Sequence, residues 1–168
     1  MEQMTVTAKI QILVNTDSKV LLDKTMSVYS DACNYVSAYV FRTHDLKQFS
    51  LNKALYSTLR KKFGLKSQMA QSVFKTVIAR YKTILENQKE WFKPNFKKPQ
   101  YDLVWNRDYS LIQKCFSVNT LNGRVKLQYF AEGMSKYFDH TRYKFGTAKL
   151  VNKHGKYFLH IPVTYDIE

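Results

Sequence analysis

An isolated strand pattern at the start of this sequence limits the folds open to the chain more than any other feature. Thr5–Val14 alternates apolar with polar residues, which predicts a half-buried β-strand. Its apolar positions are Val6, Ala8, Ile10 and Ile12. The next strand pattern begins only at Phe116, so the first strand has no local partner. We therefore expect it to pair with strands from the second half of the chain.

Three stretches with helical spacing follow the strand. The first is predicted over about Lys19–His44, after turn and N-cap residues in Asn15–Ser18. The second is predicted over Ser50–Phe63 and the third over Ser67–Gln88, each with its first serine as N-cap. The apolar positions are Leu21, Val28, Ala32, Tyr35, Val36 and Tyr39, then Leu51, Leu55 and Leu59, then Met69, Val73, Val77, Tyr81, Ile84 and Leu85.

The second half of the chain carries two hairpin signals. The first predicted hairpin spans Phe116–Tyr129 and turns at Asn122-Gly123. The second spans Phe145–Tyr165 and turns at His154-Gly155. About four strands are therefore expected after the helices.

The order of these elements predicts an α+β fold. Residues 1–16 and 99–168 are expected to form a small antiparallel β-barrel, which the unpaired first strand would complete. Residues 17–98 are expected to form a helical domain of about three helices, inserted after the first strand.

The charge is concentrated in one part of the chain. Lys and Arg number 27 against 13 Asp and Glu, a net charge of +14. Residues 42–98 hold 14 basic and 3 acidic residues, net +11, whereas residues 1–41 and 99–168 have nets of −1 and +4. Such a segment indicates a binding face for a polyanion. The alternative is a basic protein without a nucleic-acid partner.

The segment WFKPNFKKPQY at 91–101 mixes aromatic residues with lysines. Its two prolines exclude a regular helix and favour an extended chain. Aromatic and basic residues in such a segment can stack on unpaired bases and bind phosphates. The alternative, which we favour for Trp91 and Phe92, is that the rings anchor the helices in the core.

No catalytic, cofactor-binding or metal-binding residues are predicted. The sequence lacks a phosphate-binding glycine loop, a nucleophile elbow and HExxH spacing. Its carboxylates are scattered, and Asp102 and Asp108 are expected to pair with Arg107 between them. Cys33 and Cys115 are too far apart for a zinc knuckle and are expected to be free thiols.

Signals for export or membrane insertion are also missing from the sequence. The N-terminus resembles neither a signal peptide nor a transit peptide. No run of about 18 apolar residues occurs. We therefore expect a cytoplasmic protein without a membrane partner.

Five segments of the sequence follow one another in a specific order. The segments are ACNYV at 32–36, FGLKSQMAQSVFKTV at 63–77, KPNFKKPQYDLVWNRDYSL at 93–111, TLNGRVKL at 120–127 and KFGTAKLVNKHGKYFLHIPV at 144–163. In this order they resemble the TnpB family, the OrfB-type proteins of insertion-sequence transposons, which are related to type V CRISPR effectors. The resemblance extends over essentially the whole chain, and the order of the segments makes it specific.

The resemblance implies the N-terminal half of such a protein. In the family, a β-barrel wedge domain and an inserted helical recognition domain hold the guide RNA and its heteroduplex. They also read a short transposon-adjacent DNA motif. The implied partners are therefore guide RNA and target DNA, with a separate nuclease chain as a further candidate.

The predicted site residues fall into two groups. The helix beginning at Ser67 aligns with the family's motif-contacting helix, and polar side chains at a helix start can read base edges. The predicted DNA-motif residues are Ser67, Gln68, Gln71 and Lys75. The predicted RNA- or phosphate-binding residues are Arg60, Lys61, Lys62, Lys66, Lys93, Lys97, Lys98, Arg107, Arg142 and Lys144. The helix dipole favours cations at a helix end, but it accounts for only part of the cluster at residues 60–62.

The sequence departs from the family in one respect. Relatives continue past the position of Glu168 into a RuvC-like nuclease with an acidic triad and a cysteine zinc finger. Neither appears here, so we expect no cleavage by this chain alone. A fragment, a partner of a separate nuclease, a DNA-only repressor and a basic protein–protein adaptor remain open.

Overall fold

The computed structural model describes residues 2–130 and 132–167. Three α-helices follow the first strand, and the remaining strands curl into an antiparallel half-barrel, which confirms the predicted α+β class. The helices are α1 Thr16–Thr43, α2 Gln48–Lys61 and α3 Ser67–Gln88. The strands are β1 Glu2–Ile12, β2 Gln100–Leu103, β3 Tyr109–Ile112, β4 Cys115–Thr120, β5 Gly123–Leu127, β6 Tyr129–Phe130, β7 Lys144–Phe145, β8 Ala148–Lys153 and β9 Lys156–Ile167.

The chain divides into two compact units. The strand unit comprises Met1–Asp23 and Gln100–Glu168, and the helical unit comprises Lys24–Pro99. Within the described residues, no helix is long and apolar enough to cross a membrane.

In the strand unit, β1 pairs antiparallel with β9 along its whole length. The pairing runs from Glu2 opposite Ile167 to Ile12 opposite Tyr157, so the prediction that the first strand pairs with a late strand is confirmed. The sheet order is β2-β8-β9-β1-β6, with β7 also on β9, and β3-β4-β5 form a second sheet. The alternating core residues are Ala8, Ile10, Ile12, Tyr157, Leu159, Ile161 and Val163, all buried.

Both predicted hairpins form. β4 and β5 close with Thr120 opposite Gly123. β8 and β9 close at a turn in which His154 and Gly155 have φ values of +54° and +85°, the backbone of a type I′ hairpin turn. The expected count of about four strands was wrong, because the sheet also uses short strands such as β6 and β7.

A reciprocal pair of hydrogen bonds starts α1. The Ser18 amide donates to Asn15 Oδ1 at 2.8 Å, and the Asn15 amide donates to Ser18 Oγ at 2.9 Å. This capping box confirms the predicted N-cap chemistry. It also moves the start of the helix from Lys19 to Thr16.

The buried face of α1 is rotated from the predicted one. Ala32 and Val36 are buried as expected, whereas Leu21, Val28, Tyr35 and Tyr39 are only half-buried. The buried positions are Leu22, Met26, Tyr29, Ala32, Cys33, Val36 and Val40.

The predicted apolar faces of α2 and α3 are largely confirmed. Leu51, Leu55 and Leu59 are buried, as are Met69, Val73, Val77 and Tyr81, while Ile84 and Leu85 are half-buried. The predicted caps were wrong. Lys47 and Lys66 occupy the N-cap positions without a side-chain hydrogen bond.

Hydrogen bonds of tyrosine hydroxyl groups join α1 to α3. The Tyr29 and Thr76 hydroxyls lie 2.7 Å apart, and the Tyr81 hydroxyl donates to the Ser37 carbonyl oxygen at 2.9 Å. Burial raises the pKa of Tyr81, so its phenol stays a neutral donor. These bonds fix the register of α1 against α3 within the helical unit.

Candidate nucleic-acid interface

The cations of the helical unit face solvent without carboxylate partners. Residues 24–99 contain fifteen Lys and Arg and four Asp and Glu. All fifteen basic side chains are exposed. Every ion pair found among the described residues lies in the strand unit, so none of the fifteen is neutralised by a carboxylate.

The outer face of α2 carries a stripe of alternating rings and cations. Phe49, Lys53, Tyr56 and Arg60 follow one another at helical spacing, and Phe49 is 81% exposed. Arg60 Nη1 donates to the Tyr56 hydroxyl at 3.0 Å. Hydrogen bonds from Ser67 and then Arg60 lower the pKa of Tyr56. The predicted residues Arg60 and Ser67 therefore meet at one tyrosine.

Aromatic rings also position part of the predicted basic cluster after α2. Lys62 Nζ lies 4.9 Å from the centroid of Tyr35 and 5.6 Å from that of Phe63. Such cation–π contacts orient an ammonium group without neutralising it. Lys61 and Lys66 are exposed beside it in the sequence.

Gln71 is the centre of a chain of amide groups between α2 and α3. Gln48 Nε2 donates to Gln71 Oε1 at 3.0 Å, and Gln71 Nε2 donates to Asn52 Oδ1. Because both ends of its amide are used, Gln71 is well placed to orient its two neighbours. Gln48 keeps an acceptor oxygen and Asn52 keeps a donor NH₂ group, one helical turn apart on α2.

This arrangement moves the candidate base-contacting groups from Gln71 on α3 to Gln48 and Asn52 on α2. A donor and an acceptor presented together match the edge of a base in the major groove. The sequence did not single out Gln48 or Asn52, since the amide chain joins residues 19 and 23 positions apart. The predicted residues Gln68 and Lys75 are exposed on α3.

Residues Trp91–Pro99, here called the strap, run in an extended conformation along α1 and confirm the expected absence of helix. The carbonyl oxygens of Pro94 and Lys98 accept hydrogen bonds from Ser37 and Ser30 at 3.4 Å each. Between them, Asn34 binds both the amide and the carbonyl of Phe96, at 2.8 and 3.1 Å.

Because the backbone of the strap is hydrogen-bonded to α1, some of its side chains are buried and others face solvent. Pro94 is buried, whereas the predicted lysines Lys93, Lys97 and Lys98 are exposed. Phe92 is 63% exposed, so its expected role as a core anchor was wrong. Trp91 is half-buried. The strap therefore presents a row of cations and one open aromatic ring.

In the strand unit, Arg107 has a structural partner. Its Nε and Nη2 lie 3.2 and 2.9 Å from Asp108 Oδ2, and Asp108 is only 2% exposed. The predicted pairing with Asp108 is confirmed, while Asp102 forms an ion pair with Lys149 at 3.2 Å. Arg107 is therefore tied to a buried carboxylate.

The other predicted cations of the strand unit differ from Arg107. Arg142 and Lys144 are both exposed, and the Arg142 guanidinium lies 5.7 Å from the centroid of Tyr143. Across residues 2–130 and 132–167, no group of three or more His, Cys, Asp or Glu side chains could hold a metal ion.

Comparison with known proteins identifies no family for this chain. No protein-family model matches the chain, and no curated protein matches it in sequence. The residues and their geometry are therefore the only basis here for assigning a function.

Proposed function

We propose that this chain binds nucleic acid through its helical unit, as the guide-RNA and DNA-motif binding module of a TnpB-like system. The observation that carries the proposal is the set of fifteen exposed Lys and Arg side chains without carboxylate partners. A solubilising coat would mix both signs of charge, whereas a phosphate-binding face is depleted of acids.

Two features suit different parts of such a ligand. The strap places Lys93, Lys97 and Lys98 along an extended segment, as suits a phosphate backbone. The amide pair of Gln48 and Asn52 suits a base edge of the DNA motif. We assign phosphate contacts to the strap and the cluster at residues 60–66, and base contacts to α2.

The proposal concerns binding, not cleavage. No catalytic residue is assigned to residues 1–168, and a separate nuclease chain is a proposed partner. We place the protein in the cytoplasm, where RNA and DNA of a transposon locus are both accessible.

Recovery of bound nucleic acid tests this proposal directly. The full chain is expressed beside its own locus, purified at moderate salt, and its bound nucleic acid is sequenced. We expect one discrete structured RNA from the flanking transposon end. Duplex DNA without an enriched RNA would instead favour a standalone DNA binder, and recovery of neither would overturn the proposal.

A further inference from the structure

The end of α1 and the start of the strap share a stack of rings. The Trp91 ring lies 5.6 Å from that of buried Tyr81. Trp91 also lies parallel to the His44 imidazole, with centroids 3.9 Å apart and an interplanar angle of 8°. Phe41 meets His44 edge-on at 6.5 Å. His44 is exposed and forms the outer end of this stack.

The backbone of His44 is the left-handed end of α1. His44 follows the last residue of α1 with φ at +58°, and its amide donates to the Val40 carbonyl at 2.7 Å. This is the left-handed position that ends many helices, where glycine is usual and a side chain costs about 1 kcal/mol. Lys89 takes the same position at the end of α3, so the stacked ring, and not the backbone, points to a site at His44.

Charged residues neighbour the stack in the sequence. Arg42 and Lys93 flank the stacked rings in the sequence, and both are exposed without carboxylate partners. Asp45 and Glu90 also neighbour the stack, and residues 42–47 and 89–93 together hold four basic and two acidic residues, net +2. A flat exposed ring with moderate positive charge suits a nucleobase more than a phosphate group alone.

We propose that His44 forms a stacking site for one unpaired base of single-stranded RNA. The base lies on the imidazole, which Trp91 and Tyr81 support from behind, while Arg42 and Lys93 hold the neighbouring phosphates. This inference rests on the proposed nucleic-acid function and adds a subsite for unpaired RNA to it.

The test compares a strand that has bases with one that lacks them. Binding of the full chain to an end-labelled 12-nucleotide oligo(A) RNA is compared with binding to an abasic ribose-phosphate strand of the same length, by fluorescence anisotropy. Both strands carry the same phosphates, but only the first has bases that can stack on a ring. In His44→Gly, we expect affinity for oligo(A) to fall about tenfold, with unchanged affinity for the abasic strand.

Two further variants separate stacking from folding. His154→Gly makes the same substitution at a second left-handed histidine, φ +54°, in the β8–β9 turn, and should change neither affinity. His44→Asn keeps a residue that tolerates this backbone but removes the ring, so it should repeat the effect of His44→Gly. Thermal unfolding confirms that each variant is folded.

The outcomes are distinct for the two proposals. Equal losses on both strands, or no loss on oligo(A), would overturn the stacking site while leaving phosphate binding in place. If the wild-type chain binds neither strand, the proposed function and the stacking site both fail.

Discussion

The two units use their positive charge in different ways. The helical unit has fifteen basic and four acidic residues, and none of its cations pairs with a carboxylate. The strand unit has twelve basic and nine acidic residues, and it contains all three ion pairs found among the described residues. Three cations of the strand unit are paired with carboxylates inside the fold, whereas all those of the helical unit face solvent.

The comparison separates two roles of basic residues that amino-acid composition alone does not distinguish. Arg107 and Arg60 are both arginines, yet one holds a buried carboxylate and the other lies exposed over a tyrosine. Removing the first should damage the fold, and removing the second should damage binding. Variants of these two groups of residues test this division.

The largest effect is expected from Arg60→Ala, Lys61→Ala and Lys62→Ala combined. All three side chains are exposed on the helical unit, so the fold should persist. Loss of three phosphate contacts should lower the slope of log affinity against log salt by about three on duplex DNA or slightly less on RNA. A salt titration of binding measures the slope.

A matched triple variant in the strand unit serves as its control. Lys114, Lys153 and Lys156 are exposed there and have no carboxylate partner within the described residues. Their replacement by alanine should leave the salt slope unchanged. Equal slopes for the two triple variants would show that charge acts diffusely, and the division between the units would collapse.

The next effect concerns stability. Arg107→Ala should lower the free energy of unfolding by about 3 kcal/mol, because it leaves the buried Asp108 carboxylate with the Val104 amide but without a cation. The salt slope should not change. Urea unfolding measures the first quantity, and Lys153→Ala, at an exposed unpaired cation, should alter it by less than about 0.5 kcal/mol. A stable Arg107→Ala protein with weakened RNA binding would contradict the structural role of Arg107.

The smallest effect comes from His160 on β9. It lies between Lys9 on β1 and Lys149 on β8 in the sheet register. Burial, with Lys153, Lys9 and Lys149, lowers the pKa of His160 below 6.5. The unfolded chain therefore takes up a proton at higher pH than the folded chain, and stability falls as pH drops below 6.5.

Urea midpoints at pH 7.5 and 5.5 test this dependence. The midpoint should fall slightly on acidification, by less than the change caused by Arg107→Ala. His160→Gln should reduce the fall, whereas His154→Asn, in an exposed turn, should not. An unchanged pH response in His160→Gln would assign the effect to other groups.

Sequence patterns predicted the positions of helices and strands better than which helix face is buried. Strand alternation and turn residues located β1, β9 and both hairpins because these signals are local. The face of α1 was misplaced because apolar pairs such as Leu21-Leu22 and Tyr39-Val40 fit two faces about 100° apart. The structure buries Leu22 and Val40, and local spacing alone does not distinguish them from their neighbours.

For the candidate site, the sequence indicated exposed charge but not its arrangement. The lysines of the strap were predicted to bind phosphates, and all three are exposed. The attachment through Ser30, Asn34 and Ser37 was missed, because these residues bind a segment 57 to 68 positions away. Their spacing of four and three along one helix face was the available signal, but polar residues at that spacing are common on any solvated helix.

The pairing of β1 with β9 has a consequence for how the chain is made. Ile12 meets Tyr157, so the sheet core cannot close until Tyr157 has left the ribosome. At ordinary translation rates, β1 waits on the order of ten seconds for its partner. The helical unit, whose contacts are nearer in sequence, can fold during that interval. Its exposed cations then form a basic surface before β9 is synthesised.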